Sequence, residues 1–175
     1  MRVWTRFVMA AAAGFTLVGA AGCSSLGSGA GAPPQPPKDE LASVNPCSVL
    51  APQELSASGL PSTGEPDTAL SFKPGCIYDG DDFGVSIYKD THATVDAIKA
   101  QSQWVKWDQV NVNGRPAVTA VNAGSDQARV CTTMFDAGKG QIDVQARTND
   151  PGDNSQCQKS QEIAKQIEPR MPKKQ

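Results

Sequence analysis

The chain has 175 residues, with 16 Lys and Arg against 18 Asp and Glu. This length is enough for one domain of moderate size with extensions. The chain has no excess of basic residues, so its charge disfavours electrostatic binding to nucleic acid or to anionic lipid headgroups.

The first 22 residues predict an export signal. Arg2 and Arg6 precede the run from Phe7 to Gly22, which has no charged residue and is rich in Ala and Gly. The run is shorter than the about 20 apolar residues that a membrane-spanning helix needs, and Gly, Ser and Pro follow it rather than a cluster of basic residues. We therefore expect residues 1–22 to be a signal peptide.

Cys23 follows this signal in the sequence AAGC, which resembles the lipobox of bacterial lipoproteins. In a lipobox, small residues precede a cysteine whose thiol receives a diacylglyceryl group before cleavage makes it the first residue. Ala20 stands where Leu is usual. The alternative is cleavage by an ordinary signal peptidase after the small residues 19–21, which would release a soluble protein.

The segment 23–43 favours the lipidated form. It is rich in Gly, Ser and Pro, a composition typical of a flexible tether that does not fold. An anchored domain needs such a tether, whereas a released protein has no evident use for one. We therefore expect attachment to the extracytoplasmic face of the cell membrane through a lipid on Cys23, with residues 44–175 as a single domain.

The remaining four cysteines predict two disulfide bonds. Cys47, Cys76, Cys131 and Cys157 form an even set in an exported chain, and their spacings are too wide for a CxxC redox pair or a zinc knuckle. Sequential pairing needs only local packing, because each bond would join a helical segment to a nearby strand. Four cysteines allow three pairings, and the crossed ones would need a helix from each end to cover the same strand.

The first part of the domain predicts short helical turns followed by a hairpin. Asn45 and Pro46 are suited to cap and begin one turn, and Pro52 to begin another. Residues 59–75 contain many Gly, Pro, Ser and Thr residues and predict a loop. Two β-rich arms then flank Asp79–Asp82, which is typical of a β-hairpin.

The rest of the domain predicts two helices and three more strands. Helical spacing of Val95, Ile98 and then Trp104 or Val105 favours one helix, with Thr91 or Thr94 as its cap. Three β-rich runs separated by turn signals follow, at residues 115–121, 128–135 and 141–148. The apolar face of a last helix contains Cys157, Ser160, Ala164 and Ile167. This order predicts an α+β fold in which helices cover an antiparallel sheet of about five strands.

Landmarks of a known family occur along the domain: NPCSVL, Cys76 with Tyr78 at a strand start, NGRPAV, Cys131 in a strand and Cys157 in the last helix. Over about residues 44–168 they resemble the actinobacterial lipoproteins grouped as domain of unknown function 3558. Ala51 and Tyr78 replace the family's usual Thr and Trp. The resemblance implies an exported, lipid-anchored domain and supplies no substrate and no catalytic residue.

Candidates for catalysis are few. His92 is the only histidine, no GxSxG motif occurs, and the cysteines of the domain are assigned to disulfides. A Ser-His or Cys-His nucleophile is therefore not indicated. We interpret His92 as a surface residue at a helix entry, and alone it cannot build a multi-histidine metal site.

The acidic stretch DGDDFG has two interpretations. Asp79, Asp81, Gly84 and Asp90 fall at the first, third, sixth and last positions of an EF-hand loop, but Phe83 stands where an oxygen ligand belongs. A polar hairpin turn explains the same residues, so we expect no metal site. Paired carboxylates for glycoside hydrolysis depend on a separation in space that the sequence does not reveal.

Trp104 and Trp107 have two roles open to them. At a helix end they would stack on a sugar ring or line an apolar cleft, which makes them the candidate ligand-binding residues. Their spacing also places both on one face of a helix for core packing, which is the role we favour.

These observations favour a non-enzymatic binding domain without a cofactor. Its ligand would be a cell-envelope component, a small apolar or glycan molecule, or a partner protein. The alternatives are a cell-envelope hydrolase that uses carboxylates and a secreted inhibitor or interaction module. A cleft lined by the tryptophans would favour a binding domain. Convergent carboxylates with raised pKa values would favour an enzyme, and a rigid exposed loop would favour an inhibitor.

Replacing Cys23 by Ala tests the anchor. Stable membrane attachment needs at least two acyl chains, so we expect Cys23→Ala to retain its signal peptide or to leak into the medium. Intact-mass analysis of the membrane fraction measures the lipid, and Ser24→Ala is the control that keeps it. Membrane-bound wild-type protein without a lipid on Cys23 would contradict the prediction.

Overall fold

The computed structural model of the chain describes residues 40–101, 104–127 and 129–175. The predicted signal peptide, Cys23 and nearly all of the predicted tether lie outside these residues. No helix in the described ranges is long and apolar enough to cross a membrane.

The described strands form one antiparallel sheet of seven strands in the order β1-β2-β3-β7-β6-β5-β4. Their bounds are β1 Glu65–Asp67, β2 Gly75–Asp79, β3 Phe83–Asp90, β4 Trp104–Val112, β5 Arg115–Asn122, β6 Val130–Ala137 and β7 Gly140–Thr148. The α-helices are α1 Pro52–Ala57, α2 Val95–Gln101, α3 Ala123–Asp126 and α4 Gln156–Ile167. Short 3-10 turns lie at Pro46–Ser48 and Glu168–Arg170. The fold is therefore α+β, as the sequence predicts, with seven strands rather than five.

Local sequence signals explain the N-terminal helical turns. The Asn45 side chain accepts a hydrogen bond from the Cys47 N–H at 3.0 Å, and Pro46 begins the 3-10 turn. Glu54 accepts from the Ala51 N–H at 2.7 Å, just before α1 begins at Pro52. At the start of each helical segment, a side chain thus accepts a hydrogen bond from a backbone N–H that has no partner within the helix.

The first additional strand, β1, lies in the segment predicted as a loop. It is three residues long and pairs with β2 through Pro66 opposite Cys76. Its register is supported by the Tyr88 hydroxyl, which donates to Asp67 Oδ2 at 2.9 Å. So short a strand has no alternation of apolar and polar residues from which to predict it.

The second additional strand, β4, corrects the prediction of a helix that reaches Trp107. The helix α2 ends at Gln101, and residues from Trp104 onward pair with β5. The two strands are joined by Asn113 and Gly114, whose φ angles of 52° and 91° are typical of a two-residue hairpin turn. Pairing along this hairpin overrides the helical spacing of the apolar residues.

The two faces of the sheet are covered differently. The α4 face is the one on which α4 and the segment 40–60 pack, and it contains the larger core. Its largest fully buried side chains are Tyr78, Phe135, Leu41, Leu55, Ile87, Ile142, Ile163 and Ile167. The opposite α2 face has a smaller cluster beneath α2, formed by Val95, Val118, Ala120 and Met134. The larger core thus lies between the sheet and the C-terminal helix.

Both disulfides attach helical segments to the α4 face. Cys47 is bonded to Cys76 and Cys131 to Cys157, with Cα–Cα distances of 5.0 and 4.9 Å. This is the sequential pairing that the sequence favours. Beside the second bond, the Thr133 and Ser160 hydroxyls are hydrogen-bonded at 2.7 Å in a buried position. Covalent and polar contacts together fix α4 on β6.

Removing the second disulfide tests its contribution to stability. The bond closes a loop between residues 26 apart. We expect Cys131→Ala/Cys157→Ala to lose about 3 to 4 kcal/mol of unfolding free energy, because the unfolded chain gains the entropy that the loop removes. Urea unfolding measures the loss. The same experiment on Cys47→Ala/Cys76→Ala provides the comparison, and a loss below about 1 kcal/mol in either would contradict the expectation.

Candidate functional site

Part of the α2 face is left open by the helices of the described residues. Two neighbouring depressions lie there, with volumes of about 290 and 220 Å³. The larger is lined by Ile77, Asp79, Gly84, Ser86, Val130, Gln145, Ala146 and Arg147. The smaller is lined by Asp67, Ala69, Leu70, Lys73, Tyr88 and Gln145. Gln145 is common to both, and we call the two together the β3–β7 cleft.

The floor of the β3–β7 cleft is part of a row of side chains across four strands, in which Ile77, Ser86 and Gln145 line the cleft and Thr132 continues the row beyond it. Ser86 lies opposite Ile77 on one side and opposite Gln145 on the other, and Gln145 lies opposite Thr132. Residues opposite one another on one face of a sheet are close neighbours. All four side chains are partly exposed. The row therefore presents an amide and two hydroxyls, uncharged hydrogen-bonding groups, beside one apolar side chain.

Ion pairs lie at both ends of the cleft. At one end, Arg147 and Asp79 are paired at 3.3 Å, and both side chains are more than half exposed. At the other end, Lys73 is paired with Asp143, which is 2% exposed. The neutral row thus lies between a solvated ion pair and a nearly buried one.

The segment 68–74 forms one wall of the cleft. It is held against the sheet by the Lys73–Asp143 ion pair and by the hydrogen bond from Tyr88 to Asp67. The rim of this wall includes two apolar side chains, since Leu70 and Phe72 are 51% and 45% exposed. The wall therefore combines two polar attachments with exposed apolar side chains.

The pKa values near this wall are shifted by burial and by hydrogen bonds. Burial raises the pKa of Asp143, the Lys73 ammonium opposes this rise, and nearby Asp90 adds to it. The Ala69 N–H and the Tyr88 hydroxyl lower the pKa of Asp67. Burial also raises the pKa of the Tyr88 hydroxyl. The tyrosine therefore stays a hydrogen-bond donor at neutral pH.

Asp143 and Asp90 are convergent carboxylates, but both are covered. Asp90 is 3% exposed and accepts hydrogen bonds from the backbone N–H groups of His92 and Ala93 at 2.8 and 3.0 Å. Lys73 occupies one oxygen of Asp143. The other oxygen of Asp143, and both polar atoms of the fully buried Gln141 amide, have no hydrogen-bond partner among the described residues. The arrangement keeps these carboxylates away from a molecule in the cleft.

Trp104 and Trp107 lie on the edge strand β4 and not at a helix end. Their ring centroids are 5.0 Å apart, and both rings pack with Ile98 against the small cluster beneath α2. They share a face because the pairing with β5 is irregular between Trp104 and Lys106, where Val105 is an extra residue. The tryptophans thus have packing contacts, and they do not line the β3–β7 cleft.

His92 is an exposed residue at the entry to α2. Its Nδ1 lies 3.2 Å from the Thr91 hydroxyl, and the ring meets Phe72 edge-on at a centroid distance of 6.3 Å. Thr94 accepts a hydrogen bond from the Ala97 N–H at 3.4 Å, so it is the capping residue of the two threonines considered.

The carboxylates of the acidic stretch do not lie close together. Asp79 and Asp81 lie at the β2–β3 turn, whereas Asp90 ends β3, about 20 Å away at the usual rise of a strand. Among residues 40–101, 104–127 and 129–175, no group of three or more His, Cys, Asp or Glu side chains is placed to hold a metal ion.

Sequence reasoning did not find the β3–β7 cleft. The signal was present in the strands, because Ser86 and Tyr88 alternate with buried Val85 and Ile87, and Gln145 lies between Val144 and Ala146. This alternation predicts a polar face but does not show which strands lie side by side. The cleft depends on the pairing of β3 with β7, whose paired residues are more than fifty positions apart in the chain.

Asp143→Asn tests the buried ion pair through its pH dependence. Because the folded-state pKa is raised, the stability due to protonated Asp143 is fully present below its ordinary pKa of 3.8 and is lost as the pH rises through the folded-state value. We expect the wild type to lose about 1.4 kcal/mol of unfolding free energy relative to the variant for each pH unit between the two pKa values. Urea unfolding at several pH values measures this. Asp81→Asn, at an exposed position, is the control. The prediction would be wrong if the unfolding free energies of Asp143→Asn and the wild type changed with pH in parallel.

Comparison with protein families gives one match. The family model described as protein of unknown function (DUF3558) matches residues 18–170. No curated protein and no solved structure matches the chain. The match covers most of the chain, including every strand and α-helix described above, so the chain belongs to the DUF3558 family.

Proposed function

We propose that this chain is a lipid-anchored cell-envelope protein whose domain binds a ligand or partner without transforming it. The observation that carries the proposal is the β3–β7 cleft, in which neutral polar side chains are exposed between two ion pairs. Attachment through Cys23 and an extracytoplasmic location are supported by the signal-like N-terminus, the AAGC sequence and the tether. The resemblance to actinobacterial lipoproteins supports the same assignment.

The chemistry of the cleft supports binding. Gln145 and Ser86 supply hydrogen-bond donors and acceptors without net charge, and Ile77 supplies apolar contact area. Binding sites commonly combine apolar surface with a few convergent polar groups. The exposed rim at Leu70 and Phe72 adds apolar surface beside the polar row.

The positions of the ionisable groups favour binding over hydrolysis. Asp143, the carboxylate whose pKa is raised, is buried and paired with Lys73. His92 is exposed outside the cleft, at the entry to α2. A general acid or base must be within hydrogen-bond reach of the bond that breaks, either directly or through one water molecule.

Site-specific photocrosslinking in the cell envelope tests the proposal. A benzophenone amino acid at Gln145 of the full chain should capture an envelope molecule, which mass spectrometry of proteins, lipids and glycans identifies. The same amino acid at Lys165, which is exposed on α4, is the matched control. Identical products at both positions would contradict binding in the cleft.

Activity assays on the purified chain separate the binding proposal from the hydrolase alternative. We expect no turnover on ester, peptide or glycoside panels. Turnover that disappears in Asp143→Asn while the variant remains folded would support the hydrolase instead.

A further inference from the structure

Strand β4 forms one outer edge of the sheet, and among the described strands only β5 pairs with it. It is nine residues long, whereas β1 at the other edge has three. Its exposed side chains include an apolar one, Val105, at 59%, and two charged ones, Lys106 and Asp108, at 50% and 55%. Within one chain these two charges form an exposed ion pair at 3.3 Å. A long edge strand with exposed backbone groups is able to pair with another strand.

The hairpin shows which backbone groups of β4 point outward. Val112 and Arg115 flank the two-residue turn, so they exchange backbone hydrogen bonds with each other. Along β4, residues whose backbone groups bond to β5 then alternate with residues whose backbone groups do not. Trp107, Gln109 and Asn111 therefore direct their N–H and C=O groups away from β5. Pro116, opposite Asn111, has no N–H, which fits a position without ladder hydrogen bonds.

Charge selects one register for antiparallel pairing of β4 with β4 of a second copy. A two-fold axis at Lys106 would place two lysines opposite each other, and an axis at Asp108 two aspartates. An axis at Trp107 places Lys106 opposite Asp108 of the copy, and symmetry repeats this pair. Opposite charges across a strand pair are favourable and like charges are unfavourable.

The register centred on Trp107 also matches the backbone. Trp107 would exchange hydrogen bonds with its symmetry mate, because its backbone groups point outward. Lys106 and Asp108 then occupy the close, non-hydrogen-bonded positions, where side chains of paired strands approach best.

We propose that two copies of this chain pair through β4, antiparallel and centred on Trp107, so that one sheet continues through both copies. The interface is distinct from the β3–β7 cleft and does not depend on its ligand. The edge left free is β1, which is three residues long and contains Pro66. So short an edge strand is poorly suited to pairing with a further chain. We therefore expect the assembly to stop at two copies.

Charge exchange on the full chain, solubilised in detergent, tests the proposal. We expect the wild type to dimerise with a dissociation constant of about 1 mM or below. Lys106→Asp and Asp108→Lys should each weaken dimerisation about tenfold or more, because each places like charges opposite each other. The double variant Lys106→Asp/Asp108→Lys restores opposite charges and should recover the wild-type constant. Sedimentation in density-matched detergent measures the mass, and circular dichroism checks that each variant is folded.

Cysteine trapping in membranes tests the register independently. Trp107→Cys should form a disulfide-linked dimer, because each residue 107 would lie opposite its symmetry mate at a distance that a disulfide spans. Gln109→Cys should stay monomeric, since the two residues 109 would be about 13 Å apart. A monomeric wild type, single charge reversals without effect, or trapping in Gln109→Cys would overturn the proposal.

Discussion

The pairing of β3 with β7 is the contact on which the rest of the fold depends. Eight residue pairs, from Phe83 opposite Thr148 to Asp90 opposite Gln141, join the strands that precede α2 to those that follow it. Each strand also pairs on its other side, β3 with β2 and β7 with β6. The two halves of the sheet therefore meet only along this line within the described residues.

The central position of β7 explains why its two faces differ in chemistry. Ile142, Val144 and Ala146 are buried toward α4, where they complete the larger core. The residues between them point to the α2 face, and Asp143 reaches Lys73 there. A buried carboxylate without a partner is destabilising. The ion pair of Lys73 with Asp143 therefore holds the segment 68–74 over β7. The wall of the cleft is thus a consequence of the polar residues on a central strand.

Sequence reasoning predicted the elements whose signals are local. Asn45 and Pro46 mark a helical turn, the arms around Asp79–Asp82 form a hairpin, and the buried face of α4 follows the spacing of its apolar residues. It failed at β4, because Trp104 and Trp107 have helical spacing and come to one face only through an irregularity in the strand. It failed at the cleft for a related reason, since neighbours on a sheet are set by pairing between residues distant in the chain.

The positions of the two disulfides have a consequence for the integrity of the chain. Cys47–Cys76 lies wholly before α2, and Cys131–Cys157 lies wholly after it, so neither bond crosses the β3–β7 line. A proteolytic nick at α2 would leave two polypeptides, each with its own covalent loop, associated through strand pairing and contacts such as Arg170 with Glu54. The domain therefore has the organisation of a fragment-complementation pair, in which two separately produced pieces can reassemble without any thiol exchange.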